Sequence, residues 1–287
     1  MINRNYDEAK YKAWCEKQER EFKSAAQSIR AIYGDNLNEW EIREIAEAFK
    51  ELEVCADCKG ECAKKRNAYW LPVVQQDEFG RAYVSRALCN FGERRRLMST
   101  YKQQKIPMQY VDKTFSDYEV TRDNDNAVAM AKWFIKEKPQ VSLYYQGACG
   151  TGKTFLASLI AKEWLRNFKS VIFGDVPYLM EEIKRTFDGK DAGSQKLLDK
   201  YCDADLMVLD DIGAGQLTEW NVGILYQIIN RRYVSGKSNV LTSNYDFAGL
   251  EKRLSAKDEV SAMRIVSRLY EMCKVASLGT RDRRRMK

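Results

Sequence analysis

Gly147-Ala148-Cys149-Gly150-Thr151-Gly152-Lys153-Thr154 sets glycines, one lysine and one hydroxyl at the spacing G-x-x-x-x-G-K-[ST]. Together these residue types can hold a polyphosphate. The glycines let backbone N–H groups curl around phosphate oxygens without a Cβ in the way. Lys153 reaches the β- and γ-phosphates as a point charge, and the Thr154 hydroxyl ligates Mg²⁺. The run that follows, KTFLASLIAKEWLRNF, is helical in pattern, so the positive end of a helix dipole faces the phosphates. Phe155 in its first turn is counted with the loop as a nucleotide contact. Cys149 reads as a small filler, with redox sensing as the alternative. The ligands implied are ATP and Mg²⁺.

Further along, Leu206-Met207-Val208-Leu209 leads into Asp210-Asp211. Four apolar residues in a row suit a buried parallel strand, and carboxylates at its C-terminal end lie where such sheets bind ligands. Asp210 is expected to hold Mg²⁺, largely through water, and Asp211 to orient and polarise an attacking water. Alone, the pair would read as a solvated acidic turn. Asn239-Val240-Leu241-Thr242-Ser243-Asn244 is another strand with an amide at its end. Asn244 is expected to hold the lytic water or the γ-phosphate, the alternative being a plain turn. In DEVSAMRIVSRLYEMC, Arg264 and Arg268 lie off the apolar stripe. They fit either fingers into a neighbouring subunit's site or a solvated basic face, and spacing leaves both open.

The elements that must position these groups follow from periodicity. Strands are expected at 141–146, 170–174, 206–210, 239–243 and 274–278. Helices are expected near 153–168, 177–187, 219–234 and 258–272. Alternation of this kind implies βαβ units and a mainly parallel sheet. The start of the chain differs. Residues 6–32 and 38–52 read as two helices about a turn at Gly34, and short strand-like runs lie at 69–74 and 81–87. A basic helical connector, GERRRLMSTYKQQK, ends before Pro107. Expected domains are therefore 1–90, a linker helix 91–106, and 107–287.

Cys55-x-x-Cys58-x-x-x-Cys62, with Cys89 beyond it, could enclose one tetrahedral Zn²⁺. Cys15 is the fallback ligand. A closed four-thiolate site offers structure rather than catalysis, which suits a small domain with a thin core. A redox pair and unligated thiols are the alternatives. Cys202 and Cys273 read as small buried hydrophobes.

The chain has 287 residues, 45% apolar and 31% charged, which suits a globular protein with a substantial core. Its net charge of +7 permits nucleic-acid binding and is also ordinary for solubility. The absence of histidine removes any His-dependent triad or His metal ligand. No stretch of about 18 apolar residues suggests a membrane span, and no apolar leader follows the N-terminus, so a reducing, cytoplasmic setting is expected.

The blocks GACGTGKT, LMVLDDIG, VLTSN and RIVSRL, in that order, resemble the DnaC/DnaI replicative helicase loaders and their IstB transposition-helper relatives. The resemblance covers roughly residues 105–287. It implies an α/β fold with a five-stranded parallel AAA+ core that lacks a separate helical lid. It implies that Lys153 and Thr154 are the Walker A pair, Asp210 and Asp211 Walker B, and Asn244 sensor 1. Arg268 would be an arginine finger acting in trans, and Arg283 or Arg284 the sensor-2 arginine. IPMQYVDKTF resembles the stretch that flanks the adenine. The loaders carry an N-terminal helicase-binding domain, in some branches with zinc. The function implied is ATP-dependent loading of a DnaB-type replicative helicase onto single-stranded DNA. It would involve self-assembly into a ring or spiral. The basic runs Arg94–Arg96 and Arg283–Arg285 are candidate DNA contacts, with plain solvated charge as the alternative. A transposition-helper ATPase and an ATP-gated adaptor with negligible turnover are the alternatives.

Overall fold

The computed structural model describes residues 8–56, 58–59, 62, 64, 68–137, 139–186 and 192–283. It divides into two compact units, Met1–Arg96 and Leu97–Lys287.

In the first unit, α1 (Glu8–Tyr33) and α2 (Glu39–Ala56) meet at a turn where Gly34 is left-handed, with φ 98°. A reciprocal capping box starts α2. The Glu41 N–H donates to Asn38 Oδ1 at 3.0 Å, and the Asn38 N–H donates to Glu41 Oε2 at 2.8 Å. β1 (Trp70–Gln76) and β2 (Ala82–Leu88) form an antiparallel hairpin that pairs Trp70 with Leu88. Ile29, Leu37, Ile42 and Ile45 bury against Ala82 of the hairpin. The Arg86 guanidinium grips both oxygens of Glu51, at 2.8 and 3.0 Å, tying β2 to α2. The unit is therefore helical, as expected, with the strand-like runs paired as its second layer.

α3 (Asn90–Gln103) runs across the division between the units. The second unit continues through α4 (Asp125–Glu137), β3 (Ser142–Gln146), α5 (Lys153–Arg166), β4 (Val171–Asp175), α6 (Val176–Thr186), α7 (Ala192–Asp203), β5 (Leu206–Asp210), α8 (Glu219–Val234), β6 (Ser238–Ser243), α9 (Phe247–Ser255), α10 (Glu259–Met272) and β7 (Cys273–Ser277). The five strands form one parallel sheet in the order β4-β5-β6-β3-β7. Period-two alternation sends successive side chains to opposite faces. Tyr144, Met207, Leu209 and Leu241 pack under α6–α10, while Leu143, Tyr145, Val208 and Val240 pack under α4 and α5. Both faces are covered over the middle of the sheet, which is why β5 runs Leu-Met-Val-Leu before its aspartate, whereas the edge strand β7 (CKVAS) is largely exposed. Side-chain caps start α8 at Thr218, α9 at Asp246 and α10 at Asp258. Among the described residues no helix is long and apolar enough to cross a membrane.

One charged side chain is built into this core. Arg232 of α8 is fully buried. Its guanidinium donates to the carbonyls of Tyr201, Cys202 and Ala204, to the carbonyl of Ser238, and to Asn239 Oδ1. It thereby satisfies the C-terminal carbonyls of α7 and fixes the start of β6 against it. Arg232→Met would keep much of the volume and leave these carbonyls short of a donor. It is expected to cost about 3 kcal/mol, read as a fall of roughly 6–12 °C in melting temperature.

Candidate active site

The loop between β3 and α5 is shaped by glycine. Gly152 is left-handed at φ 98°, and a Cβ there would meet the Tyr118 hydroxyl at 3.0 Å. At Gly150, φ is 76° and the Asp282 carboxylate occupies the space a Cβ would need, 1.9 Å from its ideal position. The segment after β7 is laced to the loop. The Ala148 N–H donates to the Gly279 carbonyl, and the Arg283 N–H donates to the Gly150 carbonyl, both at 3.1 Å. Lys153 is buried. Its ammonium donates to the carbonyls of Gly147 (2.8 Å) and Ala148 (2.9 Å) and to Asn244 Oδ1 (2.8 Å).

Across from the loop stand the two aspartates. The Thr154 hydroxyl lies 3.1 and 3.0 Å from the two oxygens of Asp210. The Thr242 hydroxyl donates to Asp210 Oδ1 at 2.6 Å and accepts the Asp211 N–H at 2.9 Å. Asp211 itself is left-handed, φ 54°, so β5 ends in a sharp turn that aims its carboxylate into the cavity. Burial pushes the Asp210 carboxyl above the ordinary aspartate range. The Thr242 hydrogen bond opposes the shift, and the Asp211 charge adds to it. Asp175, opposite Asp210 in register, is also raised, by burial first and then by Asp211.

A cavity of about 780 Å³ runs from this polar end to the segment 107–119. Tyr110 stacks on Phe155 with centroids 4.6 Å apart and rings 7° from parallel, forming a flat aromatic wall. Tyr118 packs at an angle on Phe155 at 5.2 Å, and the Arg283 guanidinium lies over its other contact surface at 5.1 Å. Burial pushes the Tyr118 phenol up to about 12, so it stays neutral. Arg283 also donates to the Glu119 carbonyl at 2.7 Å and lines the cavity.

The structure thus gathers Gly147–Thr154, Phe155, Asp210, Asp211 and Asn244 at the C-terminal edge of the sheet. Arg268 is not among them. It bonds Asn230 at 2.6 Å and lies over Tyr226 and Tyr233 on the α8–α10 surface. Arg284 and Arg285 lie outside the described residues, as does the side chain of Cys15. Cys202 is buried, whereas Cys273 is only partly so. Cys55, Cys58, Cys62 and Cys89 line one cavity of about 210 Å³ in the first unit. Among the described residues, however, no three or more Cys, Asp or Glu side chains gather closely enough to hold a metal. Thr242 was not singled out from the sequence, although it lies on β6 two residues before Asn244, which follows the strand end. Tyr110 lies in the segment IPMQYVDKTF, expected beside the adenine, whereas Asp282 carries no signal in sequence, because only the fold brings it to the loop.

A phosphate loop, a paired aspartate strand and a polar strand end on a β4-β5-β6-β3-β7 sheet define a P-loop ATP-binding domain of the AAA+ class. The chain belongs to the family of IstB-like ATP binding proteins, whose model matches residues 83–287. It is 32% identical over 165 residues to the replicative helicase loader DnaC of Buchnera aphidicola subsp. Baizongia pistaciae, and 27% identical over 165 residues to that of Escherichia coli K12. Each match covers 56% of this chain and 67% of the relative. A crystal structure of DnaI superposes with a TM-score of 0.53 at 25% identity, covering 60% of this chain and 93% of that one.

The raised pKa of Asp210 has a stability consequence. Stability contributed by such a group is present when the carboxyl is protonated and is lost as pH rises through the folded pKa. At neutral pH its ionised form is therefore a cost to the ligand-free fold. Asp210→Asn keeps acceptors for Thr154 and Thr242 without the charge. It is expected to raise the melting temperature at pH 7 in the absence of Mg²⁺ and nucleotide, measured by thermal unfolding.

Proposed function

We propose that this protein is an ATP-dependent loader of a replicative DNA helicase onto single-stranded DNA, with ATP binding and hydrolysis switching assembly and release. The observation that carries the reading is the convergence of Lys153, Asp211 and Asn244 on one cavity beside the Thr154–Asp210 pair. It stands in a chain whose sequence is similar to replicative helicase loaders over more than half its length.

In this reading the loop amides and Lys153 cradle the phosphates, and Lys153 exchanges its loop carbonyls for phosphate oxygens. Thr154 and Asp210 are hard oxygen donors already in contact and fit Mg²⁺, which neutralises charge on the β- and γ-phosphates. Asp211 orients and polarises the attacking water, and its left-handed turn fixes the carboxylate for that task. Asn244, released from Lys153, reads the γ-phosphate. Arg268, on an outer helix face, serves a neighbouring subunit's site, so each ATP lies at a subunit boundary of a ring or spiral. Arg283, with Arg284 beside it in sequence, takes the sensor-2 role. Asp carries one methylene less than Glu, so turnover is slow and rises when DNA aligns the subunits. Residues 1–90 bind the helicase, 91–106 link, and 107–287 form the ATPase. Arg94–Arg96 and the basic tail contribute phosphate contacts to the DNA.

The test mixes the chain with its host's replicative helicase and measures the mass of the product with and without ATP. An ATP-dependent joint complex that Lys153→Ala abolishes is the expected result. No complex under any condition defeats the loader reading and directs attention to a transposase partner. Asp211→Asn is expected to lower DNA-stimulated ATP turnover by roughly 100-fold or more while leaving ATP binding in place.

Zinc in the first unit belongs to the same reading, and binding would have to draw the thiols closer together than they stand. The four thiols line one cavity, and backbone N–H groups of Tyr69 and Gly92 point at Cys62 Sγ (3.2 Å) and Cys89 Sγ (3.3 Å). Donation from the Tyr69 N–H, then from that of Lys64, holds the Cys62 thiol below its usual range, which favours the thiolate a metal needs. Elemental analysis of the purified protein should find about one zinc per chain, lost in Cys58→Ser. Metal-free protein from zinc-supplemented cells would show that the cysteines are unligated.

A further inference from the structure

Lys162 lies in the middle of α5, the helix that begins at the phosphate loop. It is only 5% exposed. Its ammonium donates to the Val111 carbonyl at 2.7 Å and to the Lys113 carbonyl at 2.9 Å. Those carbonyls belong to the segment that supplies Gln109, Tyr110 and Lys113 to the wall of the nucleotide cavity. The segment makes its own tight turns. The Val111 N–H donates to the Met108 carbonyl, and the Lys113 N–H to the Tyr110 carbonyl. It is tied to the helix by the Lys162 ammonium and the Tyr110–Phe155 stack, and Val111 is buried in the apolar core that α5 shares.

A buried ammonium is costly to desolvate, and an apolar side chain of similar length would fill the same space more cheaply. What the charge adds is direction. It draws carbonyls of a non-helical segment to one point on α5, about 13 Å along the axis from Lys153 at the helical rise. One rigid helix therefore fixes both ends of the cavity: its first turn places the polyphosphate, and Lys162 places the wall on which a flat heterocycle stacks.

We propose that Lys162 is a positioning residue for the nucleoside end of the site. It sets the distance between the aromatic wall that takes a purine base and the loop that takes the phosphates. Base and phosphates are then read together, and the binding free energy of the base is gained only when the segment is pinned. The proposal rests on the nucleotide-site reading above and deepens it.

The experiment compares MgATP with magnesium tripolyphosphate, which has the phosphates and no base, as ligands of the full chain in calorimetry. Lys162→Met is expected to weaken ATP binding about 10-fold or more, and tripolyphosphate binding less than about twofold. Lys162→Arg, which keeps the donor, should recover most of the ATP affinity. Equal losses for both ligands would show general damage to the loop and overturn the proposal, as would unchanged ATP affinity. A second measurement needs no variant. Hydrogen exchange in the wild type should slow over residues 107–113 with ATP and not with tripolyphosphate, and equal protection by both overturns the proposal. Failure of the underlying reading looks different, since wild-type protein would then bind neither ligand or Lys153→Ala would bind ATP normally.

Discussion

Two carboxylates stand side by side at the end of β5, and one hydroxyl keeps both in place. Thr242 donates to Asp210 and accepts from the backbone of Asp211. The first bond offsets part of the cost of burying a charge. The second holds the strand end in a left-handed turn that an ordinary residue would resist. Other features of the site presuppose this arrangement. Thr154 reaches Asp210 because Asp210 is held at the C-terminal end of β5, and Asp211 lines the cavity because the chain turns there. The sheet supplies the rigidity, since β5 and β6 are buried on both faces and paired in register.

The polar groups of the site were legible in sequence to the extent that their spacing was local. Gly147–Thr154 and Asp210–Asp211 each lie on one contiguous segment, and strand periodicity placed them at the same end of a sheet. Most strands and helices bearing apolar patterns fell within a residue or two of their expected limits, but α2 runs on to Ala56, four residues past its expected end. α4, α7 and α9 were not anticipated. α9 is only nine residues long and starts at its Asp246 cap, and α4 is thirteen; both bury an apolar face at helical spacing, Ala127, Val128, Ala131 and Phe134 in α4 and Phe247, Leu250 and Leu254 in α9, so the signal was present and went unused. Contacts made by distant segments left no trace in the pattern. Lys162 and Val111, or Asp282 and Gly150, meet only after the sheet has formed.

The two units solve the problem of stability differently. The ATP-binding unit has apolar cores on both sides of its sheet and can bury Arg232 because carbonyls at the end of α7 and the start of β6 need its donors. Among its described residues the first unit has one small core and a single hairpin, and polar ties such as Arg86–Glu51 join its layers.

The segment after β7 and the phosphate loop exchange backbone hydrogen bonds in both directions, with Asp282 seated on Gly150. They form one mechanical element. A ligand that reshapes the loop must do work on residues 279–283, and anything that grips those residues must do work on the loop. By reciprocity the two events share a single coupling free energy. Were a polyanion to grip the chain at one end of this strap, it would tune nucleotide affinity at the other by the same factor with which nucleotide would tune the polyanion.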